Sequence, residues 1–209
     1  RDILREYPEE TINSLMNFTS THDISRAINY FTDENEFNEY AEWAWDLKND
    51  DLDYLKNKKI SKEEYEKAKE KYKSYLFALY FLPGNVSVFY GDEVGVDGYG
   101  NLLNRKTYPW GMEDKDLLEY FKKLGKDRND EMFLETAGLK IRDINSDYFS
   151  YERIGPKDKM LVITNRSGKE GRILIPPEYN DEKTKIYTLN KSTKDIITPY
   201  GAVAIKKAC

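Results

Sequence analysis

The amino-acid sequence predicts an α/β segment followed by an all-β module. Residues 1–135 alternate short apolar strands with amphipathic helices. Residues 136–209 contain short stretches with period-2 alternation, such as Met-Leu-Val-Ile-Thr-Asn at 160–165, separated by turn signals such as Gly-Pro at 155–156. Short strands with this spacing are typical of an antiparallel sheet or sandwich. We therefore predict two domains, with the boundary after residue 135.

Two strands are predicted in the α/β segment. Residues 1–14 read as a polar helix interrupted by a proline, residues 15–20 as a short strand, and residues 24–31 as the next helix. Residues 85–91 are nearly all β-branched or aromatic, as in a strand covered on both faces. Two strands with their helices have open sheet edges and no closed core, so we expect the segment to belong to a larger α/β body.

Two longer helices complete the segment. Ser61 and Glu64 form a capping box, which predicts that a helix begins there, and Pro-Gly at 83–84 ends it. The second half of this helix is far more apolar than the first, so it should run from solvent into a core. Residues 114–128 predict another amphipathic helix. The charged run at 46–71 is expected to be a solvated face.

The composition argues against several classes of protein. The 209 residues carry a net charge of −5, and this small acidic excess predicts no nucleic-acid partner. The longest apolar run, residues 75–83, is half of the roughly 18 residues that a membrane span needs, so no membrane partner is predicted. No signal peptide is visible, and the single cysteine, Cys209, leaves no internal disulfide. The lack of an internal disulfide favours a reducing, cytoplasmic location over secretion.

The only histidine, His22, stands beside Asp23 at the end of the first predicted strand. The ends of strands are where α/β enzymes place catalytic groups. Asp23 can carry a full negative charge, and neutral His22 can hydrogen-bond a substrate hydroxyl. The alternative is that the pair only caps the next helix, since Asp is a favoured N-cap residue.

Two further motifs follow along the chain. Leu-Pro-Gly-Asn-Val-Ser-Val-Phe-Tyr-Gly-Asp-Glu-Val-Gly occupies residues 82–95, and Asn-Arg-Lys-Thr-Tyr-Pro-Trp-Gly occupies residues 104–111. The loop at 92–111 is long and glycine-rich, as functional loops often are. In this order, and together with residues 17–26, these motifs resemble the α-amylase family of glycoside hydrolases, particularly its neopullulanase and cyclomaltodextrinase branch. The resemblance covers roughly residues 1–130.

The resemblance implies a (β/α)8 barrel enzyme that cleaves α-glucosidic bonds of starch-derived α-glucans or maltooligosaccharides with retention. Residues 1–135 would be strands seven and eight with their helices, and residues 136–209 a C-terminal antiparallel β-sandwich. Asp23 would be the catalytic carboxylate that stabilises the oxocarbenium-like transition state. His22 would bind the sugar in the −1 subsite.

Four more residues receive roles from the resemblance. Arg105 matches an Asn-Arg element that reaches toward the −2 or −3 sugar, although it could also be a loop-anchoring arginine. Asn101 stands where the family usually has a sugar-binding Asp, and its amide would bind a hydroxyl without the charge-assisted strength of a carboxylate. Arg26 is expected behind the substrate-binding groups, paired with Asp23 or Asp92 to fix their charge and geometry.

The remaining aromatic residues and the metal ligands receive weaker assignments. Trp43 and Trp45 lie in an insertion, where they form either walls of sugar subsites or the core face of a helix. Tyr108 and Trp110 are expected to pack behind the loop. No spacing of metal ligands is visible, and the Ca²⁺ that the family often binds has its ligands mostly outside this segment, so no cofactor is required here.

The resemblance also reveals an absence. A retaining glycosidase needs a nucleophile and an acid/base carboxylate about 5–5.5 Å apart, which the family places after strands four and five. No motif of this chain matches them, and the Asp-Glu pair at 92–93 falls on the eighth-strand motif. We therefore predict the C-terminal part of an enzyme, inactive alone, whose partners are an α-glucan substrate and the N-terminal remainder of the barrel. The alternative is a non-catalytic carbohydrate-binding or accessory module.

Overall fold

The computed structural model describes residues 6–32, 49–100 and 102–208. The helices are α1 (Glu9–Asn13), α2 (Ala27–Tyr30), α3 (Asn49–Asn57), α4 (Lys62–Phe81) and α5 (Lys115–Asn129). The strands are β1 (Met16–Phe18), β2 (Asn85–Ser87), β3 (Gly138–Ile144), β4 (Tyr148–Ile154), β5 (Asp158–Asn165), β6 (Gly171–Arg172), β7 (Lys185–Leu189), β8 (Ile196–Ile197) and β9 (Ala202–Ala208). None of these helices combines the length and the apolar character that crossing a membrane requires.

The described residues form two compact units. Of the described residues, the first draws on 6–17, 73–86 and 123–208, and the second on 18–32, 49–72, 87–100 and 102–122. The units are therefore not consecutive in sequence, because α4 and α5 each contribute residues to both. The predicted domain boundary after residue 135 stays a prediction.

Helix α4 begins where the predicted capping box places it, and the Ser61 half of that box is formed. The main-chain N–H of Glu64 donates to the Ser61 hydroxyl at 3.2 Å, which satisfies one of the amides that the first turn of a helix leaves unpaired. The helix then continues to Phe81, where the Pro-Gly pair follows.

Removing this cap should give a small, measurable loss of stability. Ser61→Ala is expected to lower the free energy of unfolding by about 1 kcal/mol, because the Glu64 amide loses its partner. Ser14→Ala is the matched control, since the exposed Ser14 hydroxyl only donates to the Glu10 carbonyl at 2.8 Å. Urea unfolding of both variants measures the difference, and equal losses would contradict a capping role for Ser61.

The predicted antiparallel sheet is confirmed in the first unit. Five strands pair in the order β3-β4-β5-β9-β7, all antiparallel, and β6 pairs with β8 in a second, two-stranded sheet. Strand β4 is absent from the sequence prediction, because the charged Glu152 and Arg153 interrupt its apolar pattern although both are buried. The strand predicted at 172–176 is reduced to β6, which ends at Arg172.

Both faces of the five-stranded sheet are covered within this unit. On one face a single apolar cluster is formed by Leu161, Ile163, Tyr179, Ile197, Val203 and Ile205. On the other face the second half of α4 packs against the sheet, with the Phe81 and Tyr187 rings 5.6 Å apart. The alternation predicted for residues 160–165 is therefore wrong. Residues 160–163 are continuously apolar because the strand is buried on both faces.

Three side chains from later in the chain bind the carbonyl groups at the end of α4. They are Arg128, Tyr151 and Arg153, and a helix leaves its last four carbonyls without partners of its own. The acceptors are the carbonyl oxygens of Ala78, Tyr80, Phe81, Leu82 and Gly84. A cation at this position also interacts favourably with the helix dipole. The C-terminal end of α4 is therefore completed by groups that follow residue 123 in sequence.

Strands β1 and β2 pair with each other, and no other described strand joins them. Their junction is tight, because the Asn85 amide donates to the Leu15 carbonyl at 2.7 Å. Gly84 has a φ of +93°, and a Cβ at this residue would lie 2.5 Å from the Leu15 oxygen, so only glycine fits. The two-stranded sheet leaves its edges unpaired among the described residues, and Met16 on it is 64% exposed.

Candidate active site

The His22–Asp23 pair lies on a turn directly after β1, in the second unit. His22 Nε2 is 3.1 Å from Asp23 Oδ2, within hydrogen-bond distance. Helix α2 begins four residues later at Ala27, its N-cap residue is Arg26, and no side chain caps it. Capping of this helix therefore does not explain the pair.

Arg105 joins this pair from the loop at 102–113. Its Nη2 lies 3.7 Å from Asp23 Oδ1, and its Nε donates to the main-chain oxygen of His22 at 3.2 Å. Three residues predicted from two separate motifs thus meet at one surface. Arg105 therefore anchors the turn and places a positive charge beside the carboxylate, while its contact with a sugar stays a prediction. The His22 and Asp23 side chains are 63% and 69% exposed in this chain.

Arg26 and Asp92 form a buried pair beneath this surface. Arg26 Nη1 lies 3.3 Å from Asp92 Oδ1, and both side chains are fully buried. Of the two partners predicted for Arg26, the structure selects Asp92 and not Asp23. The guanidinium also stacks over the Phe89 ring at 4.0 Å, donates to the Tyr90 carbonyl and donates through Nε to the Asn104 carbonyl at 2.7 Å.

The Asp92 carboxylate is held by three side chains. Besides Arg26, it accepts hydrogen bonds from Ser20 at 2.5 Å and from Thr19 at 3.3 Å, both just after β1. Burial raises the pKa of Asp92, although the Ser20 hydroxyl and the Arg26 charge counteract the rise. Since Asp92 is buried and its oxygens are occupied, it fixes Arg26 and the end of β1 and does not face solvent.

Asn104 is a site residue that sequence reasoning did not single out. It is fully buried, and its amide donates to the main-chain oxygens of Thr21 and Ile24, at 3.0 and 2.6 Å. These carbonyls stand on either side of His22 and Asp23. The only signal in the sequence is its position directly before Arg105.

The other sequence predictions have mixed outcomes. Asn101, Trp43 and Trp45 lie outside the described residues. Trp110 is 81% exposed, so the prediction that it packs behind the loop is wrong. The loop turns at this point, with the Met112 amide donating to the Pro109 carbonyl at 2.9 Å, and this turn directs the Trp110 ring outward, 4.5 Å from that of Tyr108.

Within 6–32, 49–100 and 102–208, no group of three or more His, Cys, Asp or Glu side chains is arranged to hold a metal ion. What the cluster offers chemically is one exposed carboxylate, flanked by an imidazole and a guanidinium, on a turn that buried groups hold in place.

Comparison with known proteins gives consistent likenesses. No family model matches the chain. An amylopullulanase of Thermoanaerobacter thermohydrosulfuricus is 32% identical over 155 residues, which are 72% of this chain and 9% of that protein. An amylopullulanase of Thermoanaerobacterium thermosulfurigenes is 28% identical over 210 residues, which are 93% of this chain and 10% of that protein. The chain therefore spans about one tenth of the length of these relatives.

A solved structure described as a cyclomaltodextrinase has the same fold over nearly the whole chain. It superposes with a TM-score of 0.66 at 19% identity, over 95% of this chain and 30% of that one. The likeness at this identity concerns the fold. Its extent shows that both units of the present chain have counterparts in one larger protein.

Proposed function

Because this chain belongs to the α-amylase family of glycoside hydrolases, we propose that it is the C-terminal part of a retaining enzyme acting on starch-derived α-glucans or maltooligosaccharides. The observation that carries the proposal is the meeting of His22, Asp23 and Arg105 at one exposed surface. The relatives named amylopullulanase support an α-glucan as the substrate.

Asp23 is the catalytic residue of this part. In the transition state of a retaining glycosidase the sugar ring becomes positively charged, and hydrogen bonds to its hydroxyls strengthen. A carboxylate fixed beside the ring stabilises this charge most when water is excluded. The Asp23 side chain is 69% exposed in this chain, so other parts of the enzyme and the substrate must cover it. His22, Arg105 and Asn101 bind sugar hydroxyls beside it.

The fold assigned to the first 135 residues is the last two βα units of a (β/α)8 barrel, and residues 136–209 form the C-terminal β-sandwich domain. The open edges of the β1–β2 pair support the first assignment, because a closed barrel has no unpaired edge. The five-stranded and two-stranded sheets with a shared apolar cluster support the second. The N-terminal remainder of the barrel is therefore a partner that the catalytic site requires.

Hydrolysis with retention requires two carboxylates besides Asp23, about 5–5.5 Å apart, one as nucleophile and one as acid/base. Asp92 does not qualify, since it is buried against Arg26. We therefore place both groups in the remainder of the barrel and expect the 209-residue chain to be catalytically inert.

This expectation is tested with the purified 209-residue chain. Incubation with maltoheptaose or pullulan should release no reducing sugar above the rate of the Asp23→Asn chain, while the longer protein that carries the chain should release it readily. Turnover by the chain that Asp23→Asn abolishes would contradict the assignment of the missing carboxylates. A longer protein that binds α-glucan and never hydrolyses it would instead favour the accessory module.

A further inference from the structure

Asn104 lies beneath the candidate active site. It is fully buried, and its side-chain amide lies across the turn that carries His22 and Asp23. A primary amide has two N–H donors. Asn104 directs its nitrogen at the carbonyls of Thr21 and Ile24, at 3.0 and 2.6 Å, which closes the turn from below.

The main chain of Asn104 is itself anchored. Its carbonyl accepts a hydrogen bond from Arg26 Nε at 2.7 Å, and Arg26 is held by Asp92 at 3.3 Å. Hydrogen bonds of Asn104 therefore connect the buried Arg26–Asp92 pair with the turn. The next residue, Arg105, contacts the same turn from its exposed side, through the His22 carbonyl at 3.2 Å.

Few other described contacts fix the Asp23 backbone. The Asp23 amide donates to the Thr21 hydroxyl at 3.2 Å, which is a contact inside the turn itself. Without the Asn104 amide the Thr21 and Ile24 carbonyls would lose their donor, and unpaired polar groups under the surface drive a turn to rearrange.

From this geometry we propose that Asn104 is a positioning residue, which acts through Asp23 by holding the His22–Asp23 turn in the orientation that the transition state needs. The proposal rests on the proposed function of Asp23. Misplacing a catalytic group by about 1 Å costs on the order of 100-fold in rate, and this is the loss we expect when the amide is removed.

The kinetic test uses the longer, active protein with maltoheptaose as substrate. Asn104→Leu should lower kcat about 100-fold and leave KM nearly unchanged, because the misplaced group acts mainly in the transition state. The matched control is Asn29→Leu. Asn29 is equally buried in the same unit, and its side-chain oxygen accepts a main-chain hydrogen bond from Gly98 at 2.8 Å, and Gly98 is not a residue of the turn.

A double-mutant cycle separates positioning from a general structural role. In an Asp23→Asn background, Asn104→Leu should cause no further loss of kcat, since the group that it positions is already disabled. A further loss as large as in the wild-type background, or an Asn29→Leu variant that loses as much as Asn104→Leu, would overturn the proposal. If Asn104→Leu fails to fold, Asn104→Asp keeps the side-chain size and removes the donors, with Asn29→Asp as its control.

A second measurement does not depend on turnover. His22 is the only histidine of the 209-residue chain, so isotopically labelled histidine gives one NMR signal from the turn. Asn104→Leu should shift or broaden this signal, and Asn29→Leu should leave it in place. If the position and width of the His22 signal are unchanged in Asn104→Leu, the proposal is overturned. A longer protein without hydrolytic activity, combined with a responsive His22 signal, overturns the proposed function and leaves the structural role of Asn104 standing.

Discussion

Replacing Asp23 by Asn in the active protein that carries this chain is expected to lower kcat by about 100- to 1,000-fold, with KM little changed. The substitution keeps the shape of the side chain and removes its negative charge. In the resting chain the carboxylate has His22 at 3.1 Å and Arg105 at 3.7 Å. In the proposed role of Asp23, its full stabilising effect appears only when positive charge develops on the sugar, so we expect the loss to fall on the chemical step.

Asp97→Asn provides the matched control for this experiment. Asp97 lies in the same unit and also pairs with a neighbouring cation, the Lys106 ammonium at 2.7 Å. Steady-state kinetics with maltoheptaose should show a large loss only for Asp23→Asn. An unchanged kcat, or equal losses for the two variants, would remove Asp23 from the active site.

The second large effect is expected from Arg153, on strand β4. Arg153→Met should lower the free energy of unfolding by about 3–5 kcal/mol, as for other buried charged groups whose partners are left unpaired. The guanidinium is fully buried and donates to the carbonyls of Phe81, Leu134 and Ala137, at 2.8, 2.6 and 2.6 Å. Methionine fills much of the volume and donates to none of them.

Desolvation of the charge offsets part of this loss. Burial lowers the pKa of Arg153 to about 10, which reflects the cost of keeping a cation away from water. The guanidinium nevertheless stays protonated at neutral pH. Removing it ends the desolvation cost of the charge, but leaving three buried carbonyls without donors costs more. The stability of Arg153→Lys should lie between that of the unchanged chain and that of Arg153→Met, because one ammonium cannot reach the same three acceptors.

Urea and thermal unfolding of the chain measure this effect. The midpoint temperature should fall by about 10 °C for Arg153→Met, given the size dependence of unfolding entropy. The exposed Arg172 of β6 supplies the control, since Arg172→Met should stay within about 0.5 kcal/mol of wild type. A loss below about 1 kcal/mol for Arg153→Met would show that its hydrogen bonds merely replace bonds to water.

The parts of the fold that follow from local chemistry could be predicted. Ser61 and Glu64 predict the start of helix α4, and Pro-Gly predicts its end. Each of these signals lies within a few residues of the helix end that it determines. Strand β4 could not be found this way. Its Glu152 and Arg153 look like surface residues, and their hydrogen-bond partners make them suitable for a core. Glu152 accepts from the Tyr179 hydroxyl at 2.8 Å and from Arg142 at 2.6 Å. Arg153 donates to the carbonyls of Phe81, Leu134 and Ala137.

In the candidate site, too, some features are indicated by the local sequence and others only by the structure. His22, Asp23 and Arg105 can be proposed as site residues from the sequence, because each motif is contiguous and the order of the motifs along the chain is informative. The choice of Asp92 as the partner of Arg26 required the structure, since both Asp23 and Asp92 were chemically suitable. The role of Asn104 depends on contacts with residues 80 and 83 positions away, and no local pattern indicates contacts of this kind.

The carbonyls at the end of α4 bear on how this protein can be divided. Tyr151 and Arg153 donate to the carbonyls of Ala78 and Phe81, and both donors lie beyond residue 135. A truncation at that residue would keep the whole helix and discard these donors, together with the sheet face that covers Phe81. The residues after 135 are therefore needed to complete the end of α4 and cannot be removed without loss of stability. Exchanging the β-module between related enzymes would succeed only when the new module brings equivalent donors for the same helix end.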